Sequence, residues 1–145
     1  MNLETIAKYD INFQNKVRDN GVVKKLPNSK LGYLDLFLFE CKTSDIDDDE
    51  AGLLIEIDNA LGNSNSEIES GSGIVDIIIY QDVVKFYVNG DDNIYYMPTV
   101  DFREIIVGWR GFLLTPPLNG TKARTFPTGA TMQRWLGYLK GWARK

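Results

Sequence analysis

Among the residues of this sequence, the acidic ones have the side chains with the widest range of possible chemical roles. Four of them have the spacing of ligand positions in an EF-hand calcium loop: Asp45, Asp47, Asp49 and Glu56. The match fails where Glu50 replaces the glycine that the sharp turn of that loop requires, and a strand rather than a helix is predicted before it. We therefore interpret these acids as the start of a helix, where the helix dipole favours negative charge.

A second arrangement is similar to the carboxylates and lysine of metal-dependent nucleases. Asp76 and Asp82 lie close in sequence to Lys85, but the spacing from Asp82 to Lys85 is one residue longer than the usual acid-x-Lys pattern. Carboxylates beside a strand turn are common without any catalytic role. The glycines around residue 72 precede a strand rather than opening a helix, so the geometry of a phosphate loop is missing.

The sequence lacks the residues that nucleophilic catalysis and most metal sites usually require. The sequence has no histidine and a single cysteine, Cys41. This composition excludes Ser-His and Cys-His pairs, histidine-ligated metals, zinc clusters and an intrachain disulfide. Twenty acidic residues leave a glycosidase-type carboxylate pair open, but no spacing selects one. We expect no cofactor and no metal.

The net charge of −4 conceals a strong segregation of charge along the chain. Residues 43–84 contain eleven acidic residues and no Lys or Arg, whereas residues 105–145 contain seven basic residues and no acid. Such a field suits the steering of a charged partner, and an acidic surface on a chain without catalytic residues favours binding of a basic protein. The predicted partner-binding residues are Asp45, Asp47, Asp48, Asp49, Glu50, Glu67 and Glu69, with Asp91 and Asp92 as second choices.

These acids need a scaffold, and the hydrophobic patterns predict a mixed one. Alternating or apolar runs predict strands at Tyr33–Glu40, Ile74–Tyr80, Val83–Val88 and Ile94–Met97, the last three forming an antiparallel meander. A helix is predicted over 47–61, with Asp47–Glu50 in its first turn and Gly62 as its C-terminal cap. Residues 63–73 are predicted to form a polar loop, and residues 1–26 fit helix and strand equally.

The clearest helix signal lies near residues 102–114. Asp101 and Glu104 have capping-box spacing, Val100 and Ile105 could form a hydrophobic staple, and prolines follow the helix. Trp109 and Phe112 are assigned to the core. Residues 115–130 are predicted to be a linker that leads to a basic amphipathic helix over 131–143.

Length and hydropathy set the class of protein. With 145 residues, 43% of them hydrophobic, the chain predicts one α/β (α+β) domain, with a mainly antiparallel sheet of four to five strands and flanking helices. No stretch approaches the roughly 18 apolar residues of a membrane span, and the polar N-terminus is unlike a signal peptide. We expect a soluble, cytoplasmic protein.

The segment Ile94–Leu113 (IYYMPTVDFREIIVGWRGFL) resembles immunity proteins of bacterial contact-dependent inhibition and related polymorphic toxin systems. A strand that ends in aromatic residues leads into a helix of the form DFxxIIxxWxxFL. The resemblance implies a small α/β antitoxin that binds a cognate toxin domain, often a nuclease, and blocks it without catalysis. The segment after Leu114 is not part of this pattern, which leaves open whether it packs, forms a homodimer or contacts the partner.

Two functions of other classes remain as alternatives. One is a small hydrolase that uses carboxylates and a metal ion. The other is an adaptor that binds nucleic acid or a membrane surface through the basic, aromatic residues 131–143. The acidic half of the chain would repel phosphate, so we expect neither direct nucleic-acid binding nor membrane binding.

Overall fold

The structure is a computed structural model that describes residues 1–71, 73–116 and 122–123. The described helices are α1 (Leu3–Tyr9), α2 (Gly32–Phe39), α3 (Thr43–Asp47), α4 (Leu53–Leu61) and α5 (Thr99–Leu113). The described strands are β1 (Gln14–Val17), β2 (Val22–Leu26), β3 (Ile68–Gly71), β4 (Val75–Ile79), β5 (Val83–Val88), β6 (Ile94–Pro98) and β7 (Lys122–Ala123). The fold class is α+β, as predicted.

The larger sheet is an antiparallel meander in the order β3-β4-β5-β6. Its register pairs Ile77 with Phe86 and Phe86 with Tyr95. The turn between β4 and β5 closes with a 2.9 Å hydrogen bond from the Tyr80 amide to the Val83 carbonyl. The turn between β5 and β6 uses Gly90 at φ 84°, a conformation that glycine adopts without strain. The three strands predicted for this region are confirmed.

Helices α2, α4 and α5 cover one face of this sheet and form the core with it. Three phenylalanine rings from α2, β5 and α5 (Phe37, Phe86 and Phe102) meet there with centroids 5.5–6.1 Å apart. Trp109 of α5 is fully buried, and its indole N–H donates a 3.0 Å hydrogen bond to the Cys41 carbonyl. Phe112 is partly buried and packs against this core. The core assignment of both residues is therefore confirmed.

A second, smaller sheet forms from the N-terminal region, where the sequence favoured no single element. β1 and β2 make an antiparallel hairpin whose turn contains Gly21 at φ 79°. Two residues of the predicted linker, Lys122 and Ala123, form β7, which pairs in parallel with β2. The predicted helix over 131–143 lies outside the described residues. No helix in the described part of the chain is long and apolar enough to cross a membrane.

The predicted strand at Tyr33–Glu40 is wrong, because this segment forms helix α2. Six of the eight residues of α2 are buried, so the helix has no polar face that would give a helical period. A short run that is apolar on all sides has the same sequence pattern as a buried strand. Its one charged residue, Asp35, is also buried and accepts hydrogen bonds from the Ser29 hydroxyl at 2.8 Å and the Ser29 amide at 3.2 Å.

The single helix predicted over 47–61 is also wrong, because α3 ends at Asp47 and α4 begins at Leu53. Gly52 causes the break. A Cβ at this position would lie 2.4 Å from the Asp48 carbonyl oxygen and 2.7 Å from the Ile46 carbonyl oxygen, so the chain folds back closely only with glycine here. Residues 48–50 therefore lie in a tight turn rather than in the first turn of a helix. The C-terminal cap at Gly62 is confirmed.

Two local predictions around the larger sheet need correction. Residues 68–71, predicted as loop, form the edge strand β3. Their short polar sequence does not indicate a strand, and the hydrogen-bonded pairing with β4 holds them extended. Helix α5 begins at Thr99, three residues earlier than predicted, because the Thr99 amide and hydroxyl donate to the carbonyls of Asp82 and Tyr80. The predicted capping box and staple do not form.

The residues of that predicted cap have other contacts. The Asp101 carboxylate accepts from Lys8 at 2.9 Å and from the Tyr9 hydroxyl at 2.5 Å, while Glu104 accepts from the Asn2 amide at 3.2 Å. Val100 is 59% exposed, so it cannot act as the apolar partner of a staple. These side chains fasten α1 to α5 instead.

Candidate functional site

The first group of predicted site residues lies on α3 and on the turn that follows it. Asp45 caps the start of α3 by accepting from the Lys42 amide at 3.1 Å. The Asp48 carboxylate accepts from the Glu50 amide at 3.0 Å, which fixes the turn. Asp49 and Glu50 are exposed. The turn thus presents several acidic side chains to solvent on a backbone that Asp48 and Gly52 hold in place.

Helix α5 neutralises part of this acidic segment. The Nε atom of Arg110 lies 2.6 Å from the Asp47 carboxylate, and the Nε atom of Arg103 lies 2.7 Å from the Asp58 carboxylate. Asp47 and Asp58 raise the pKa of these two guanidinium groups, chiefly through the hydrogen bonds that they accept. Asp47 is therefore a paired member of the predicted surface.

The second group borders a groove of about 790 Å³ beside the edge strand β3. Glu69, Asp76 and Glu56 contribute acidic side chains to its lining, and Ala51 at its end follows directly after the turn of residues 48–50. The Glu56 carboxylate contacts the Ser70 hydroxyl at 3.5 Å, and partial burial raises the pKa of Glu56. We call this concavity the β3 groove. Its lining runs from Ala51, next to the α3–α4 turn, to Glu69 of β3 and Asp76 of β4.

Asp91 and Asp92 lie in a different place, at the turn between β5 and β6. They line a separate groove together with Tyr33 and Tyr95, whose rings stack with centroids 4.6 Å apart. The Asp91 carboxylate accepts from the Tyr95 hydroxyl at 2.7 Å. Of the predicted residues, the fold thus places Glu69 in the β3 groove whose lining includes Ala51, beside the turn of residues 48–50, Glu67 exposed just before β3, and Asp91 and Asp92 at one end of the sheet.

Nearly all acids of the residue 43–84 block face solvent. Of its eleven acidic side chains, only Glu56 is half-buried; the ten exposed ones are Asp45, Asp47, Asp48, Asp49, Glu50, Asp58, Glu67, Glu69, Asp76 and Asp82. Among the described residues, only Asp47 and Asp58 of this block form an ion pair with a Lys or Arg. The unpaired acids together, from the α3–α4 turn to the β3 groove, form what we call the acidic surface.

The sequence interpretation missed the residues on the outer face of the larger sheet, which is the face opposite the core. Strand alternation places Ile78, Lys85, Tyr87 and Tyr96 there, and the Lys85 ammonium lies over the Tyr80 and Tyr96 rings at 5.2 and 5.8 Å. The signal available in the sequence was the alternation of side chains along a strand, which places Lys85 and Tyr87 on the same face.

The residues of the other candidate sites do not come together in the part of the chain that the structure describes. No three His, Cys, Asp or Glu side chains of the described residues converge as a metal site requires. Lys85 points toward tyrosines, and no described ion pair joins it to Asp76 or Asp82. Cys41 is buried, and that burial raises the pKa of its thiol to about 12, which opposes formation of the nucleophilic thiolate.

Comparison of the chain with protein-family models, curated proteins and solved structures finds no match. The resemblance of Ile94–Leu113 to immunity proteins therefore stays a prediction. In the structure, this segment comprises β6 and α5, which join the larger sheet to the helical layer.

Proposed function

We propose that this chain is a non-enzymatic immunity protein, an antitoxin that binds and neutralises a cognate bacterial toxin domain in the cytoplasm. The single observation that carries the proposal is the acidic surface, whose exposed carboxylates have no ion-pair partner among the described residues. The partner that fits this surface is a basic domain, and a nuclease is the enzyme class whose active site must attract phosphate.

The physical basis is electrostatic complementarity. Several exposed carboxylates on a small domain produce a field that accelerates encounter with a cationic cleft. Carboxylates seated in such a cleft would occupy the positions of nucleic-acid phosphates and exclude the substrate. Inhibition of this kind needs a fixed surface and no catalytic residue. The turn held by Gly52 and Asp48 and the edge strand β3 provide a fixed surface.

Co-expression with a defined probe tests the proposal. The probe is the C-terminal domain of the protein encoded directly upstream of this chain's gene, produced from an inducible promoter in a heterologous bacterium. We expect the probe to stop growth alone and growth to be restored when this chain is co-expressed. Restoration should be weakened by the triple variant Asp48→Asn, Asp49→Asn and Glu50→Gln. A probe that is harmless, or toxicity that the chain does not relieve, would contradict the proposed function.

A further inference from the structure

The outer face of the larger sheet combines apolar and aromatic side chains with little cover. Its central register row runs from Glu69 through Ile78 and Lys85 to Tyr96 across the four strands. The neighbouring row includes Asp76, Tyr87 and Ile94. Tyr96 is 55% exposed and Ile94 is 43% exposed.

Helices cover the opposite face of the sheet, whereas no described element covers the outer face. The inward residues of β4 and β5 are buried beneath α2, α4 and α5. Every residue of these two strands that points outward is half-exposed or exposed. Within the described ranges, therefore, no helix or loop shields this face as the helices shield the other. Exposed aromatic and aliphatic side chains grouped on one face are characteristic of interaction sites.

Acidic residues border this apolar centre on two sides. Glu69 and Asp76 lie on the side of the edge strand β3, and Asp82 lies at the turn between β4 and β5, whereas Asp91 and Asp92 line the groove on the helix-covered side and are not part of this rim. Among the described residues of the centre, the cation is Lys85, whose ammonium lies over tyrosine rings rather than beside the acids. The rim is therefore negative around a centre of aromatic and aliphatic side chains.

We infer that the outer face is the docking surface for a basic protein segment, with Tyr87 and Tyr96 packing against the partner and the acidic rim pairing with its Lys and Arg side chains. This inference rests on the proposed function and specifies where the toxin domain binds. Aromatic residues in the centre of a contact, enclosed by polar residues, commonly contribute most of the binding energy. Exposed tyrosine faces also attract Arg and Lys side chains.

The charge of the rim selects a protein over a nucleic acid as the occupant. A tyrosine-bearing sheet can stack with bases, but such surfaces bind the backbone through a positive groove. Among the described residues, the rim carries three acids, Glu69, Asp76 and Asp82, around Lys85. Phosphate would be repelled, whereas a cationic polypeptide would be attracted.

Two surface variants and two matched controls test the site in the full chain, with the upstream-encoded domain as the probe. Tyr96→Ala removes an aromatic side chain of the centre, and Glu69→Lys reverses one rim charge. Their controls, Leu3→Ala and Glu4→Lys, remove an exposed apolar side chain and reverse an exposed charge on α1, which packs against α5 on the other side of the sheet. We expect each surface variant to weaken binding at least about tenfold and each control to leave it within about twofold.

Hydroxyl-radical footprinting of the tyrosines identifies the occupant. Tyr96 should oxidise readily in the free full chain and become protected in the complex, with the buried Tyr9 as an unreactive reference. Protection of Tyr96 in the free chain at every concentration would show that its own residues cover the face, and protection that grows with concentration would show a second copy. Either result overturns the inference.

The two proposals fail in different ways. If the upstream-encoded domain does not bind the wild-type chain, both the proposed function and this docking surface are wrong. If it binds but Tyr96→Ala and Glu69→Lys bind as tightly as wild type, only the docking surface is wrong.

Discussion

Arg110 of α5 and Asp47 at the end of α3 form an ion pair with 2.6 Å between Nε and the carboxylate. Both side chains are more than a third exposed, so water screens the pair and its contribution to stability is small. The pair matters for the distribution of charge. It neutralises Asp47, whereas the carboxylates of the adjacent residues Asp48, Asp49 and Glu50 have no Lys or Arg partner among the described residues.

This difference predicts the effect of charge on the rate of partner association. Replacing Asp48, Asp49 and Glu50 by Asn, Asn and Gln removes three negative charges and should slow association about tenfold at low salt. The combined variant Asp47→Asn with Arg110→Gln removes one charge of each sign from the same region and should associate almost as fast as wild type. Stopped-flow fluorescence with the upstream-encoded domain measures both rates. Equal slowing by the two variants would contradict the account.

Gly52 is predicted to be essential for the shape of the acidic turn. A methyl group at this position would meet backbone atoms of Asp48 at 2.4 and 2.6 Å, so Gly52→Ala should destabilise the fold by about 1–3 kcal/mol. Gly62→Ala is the matched control, because its nearest contact would be an ordinary 3.6 Å. Urea denaturation of the two variants measures the free energies of unfolding. Similar losses in both would show that backbone crowding is not the cause.

Trp109 is predicted to be the side chain whose loss costs the most stability. It is fully buried, packs edge-on against Phe13 with ring centroids 4.9 Å apart and donates to the Cys41 carbonyl. Trp109→Ala should lower the free energy of unfolding by about 3–5 kcal/mol. Val107→Ala, on the exposed side of the same helix, should change it by less than about 1 kcal/mol. Chemical denaturation distinguishes the two, and a mild effect of Trp109→Ala would contradict the described core.

Asp35 gives a prediction about pH. The residue is 2% exposed, and burial raises the pKa of its carboxyl to about 7 although the two hydrogen bonds from Ser29 act in the opposite direction. Because the folded chain then binds this proton more tightly than the unfolded chain, the contribution of Asp35 to stability falls as pH rises from about 4 to about 7.

Asp35→Asn tests the pH prediction, since an amide has no proton to lose in this range. The free energy of unfolding should fall less steeply between pH 5 and 8 in Asp35→Asn than in wild type. Ser29→Ala should steepen the wild-type dependence, because it removes a hydrogen bond that stabilises the charged carboxylate. Identical slopes in wild type and Asp35→Asn would show that another group dominates.

The sequence predicted the elements whose patterns are local. The alternation in Val83–Val88, the turn at Gly90 and the apolar stripe of α5 are visible in short windows, and the structure confirms them. Helix α2 and the strand β3 depend on contacts from elsewhere in the chain. The all-apolar run of α2 has no period until its surroundings are known, and β3 is a strand because β4 lies beside it.

The residues of the candidate site also differ in whether the sequence alone could predict their positions. Charge counting alone selected nine acids, and all of them except the partly buried Asp91 are exposed, because unpaired charges rarely enter a core. It could not show that Arg103 and Arg110 would form ion pairs with two acids of residues 43–84, because the two residues of each pair are more than forty positions apart in the sequence. Nor could it show that the tyrosines of the outer face share a surface with Glu69 and Asp76, which follows only from the strand register.

Titration of the purified upstream-encoded domain with this chain, followed by its nuclease activity on RNA or DNA, tests the central claim most directly. The proposed function predicts that activity falls linearly to zero at one equivalent of the chain and that added salt weakens the inhibition. Full nuclease activity in the presence of excess folded chain would contradict it.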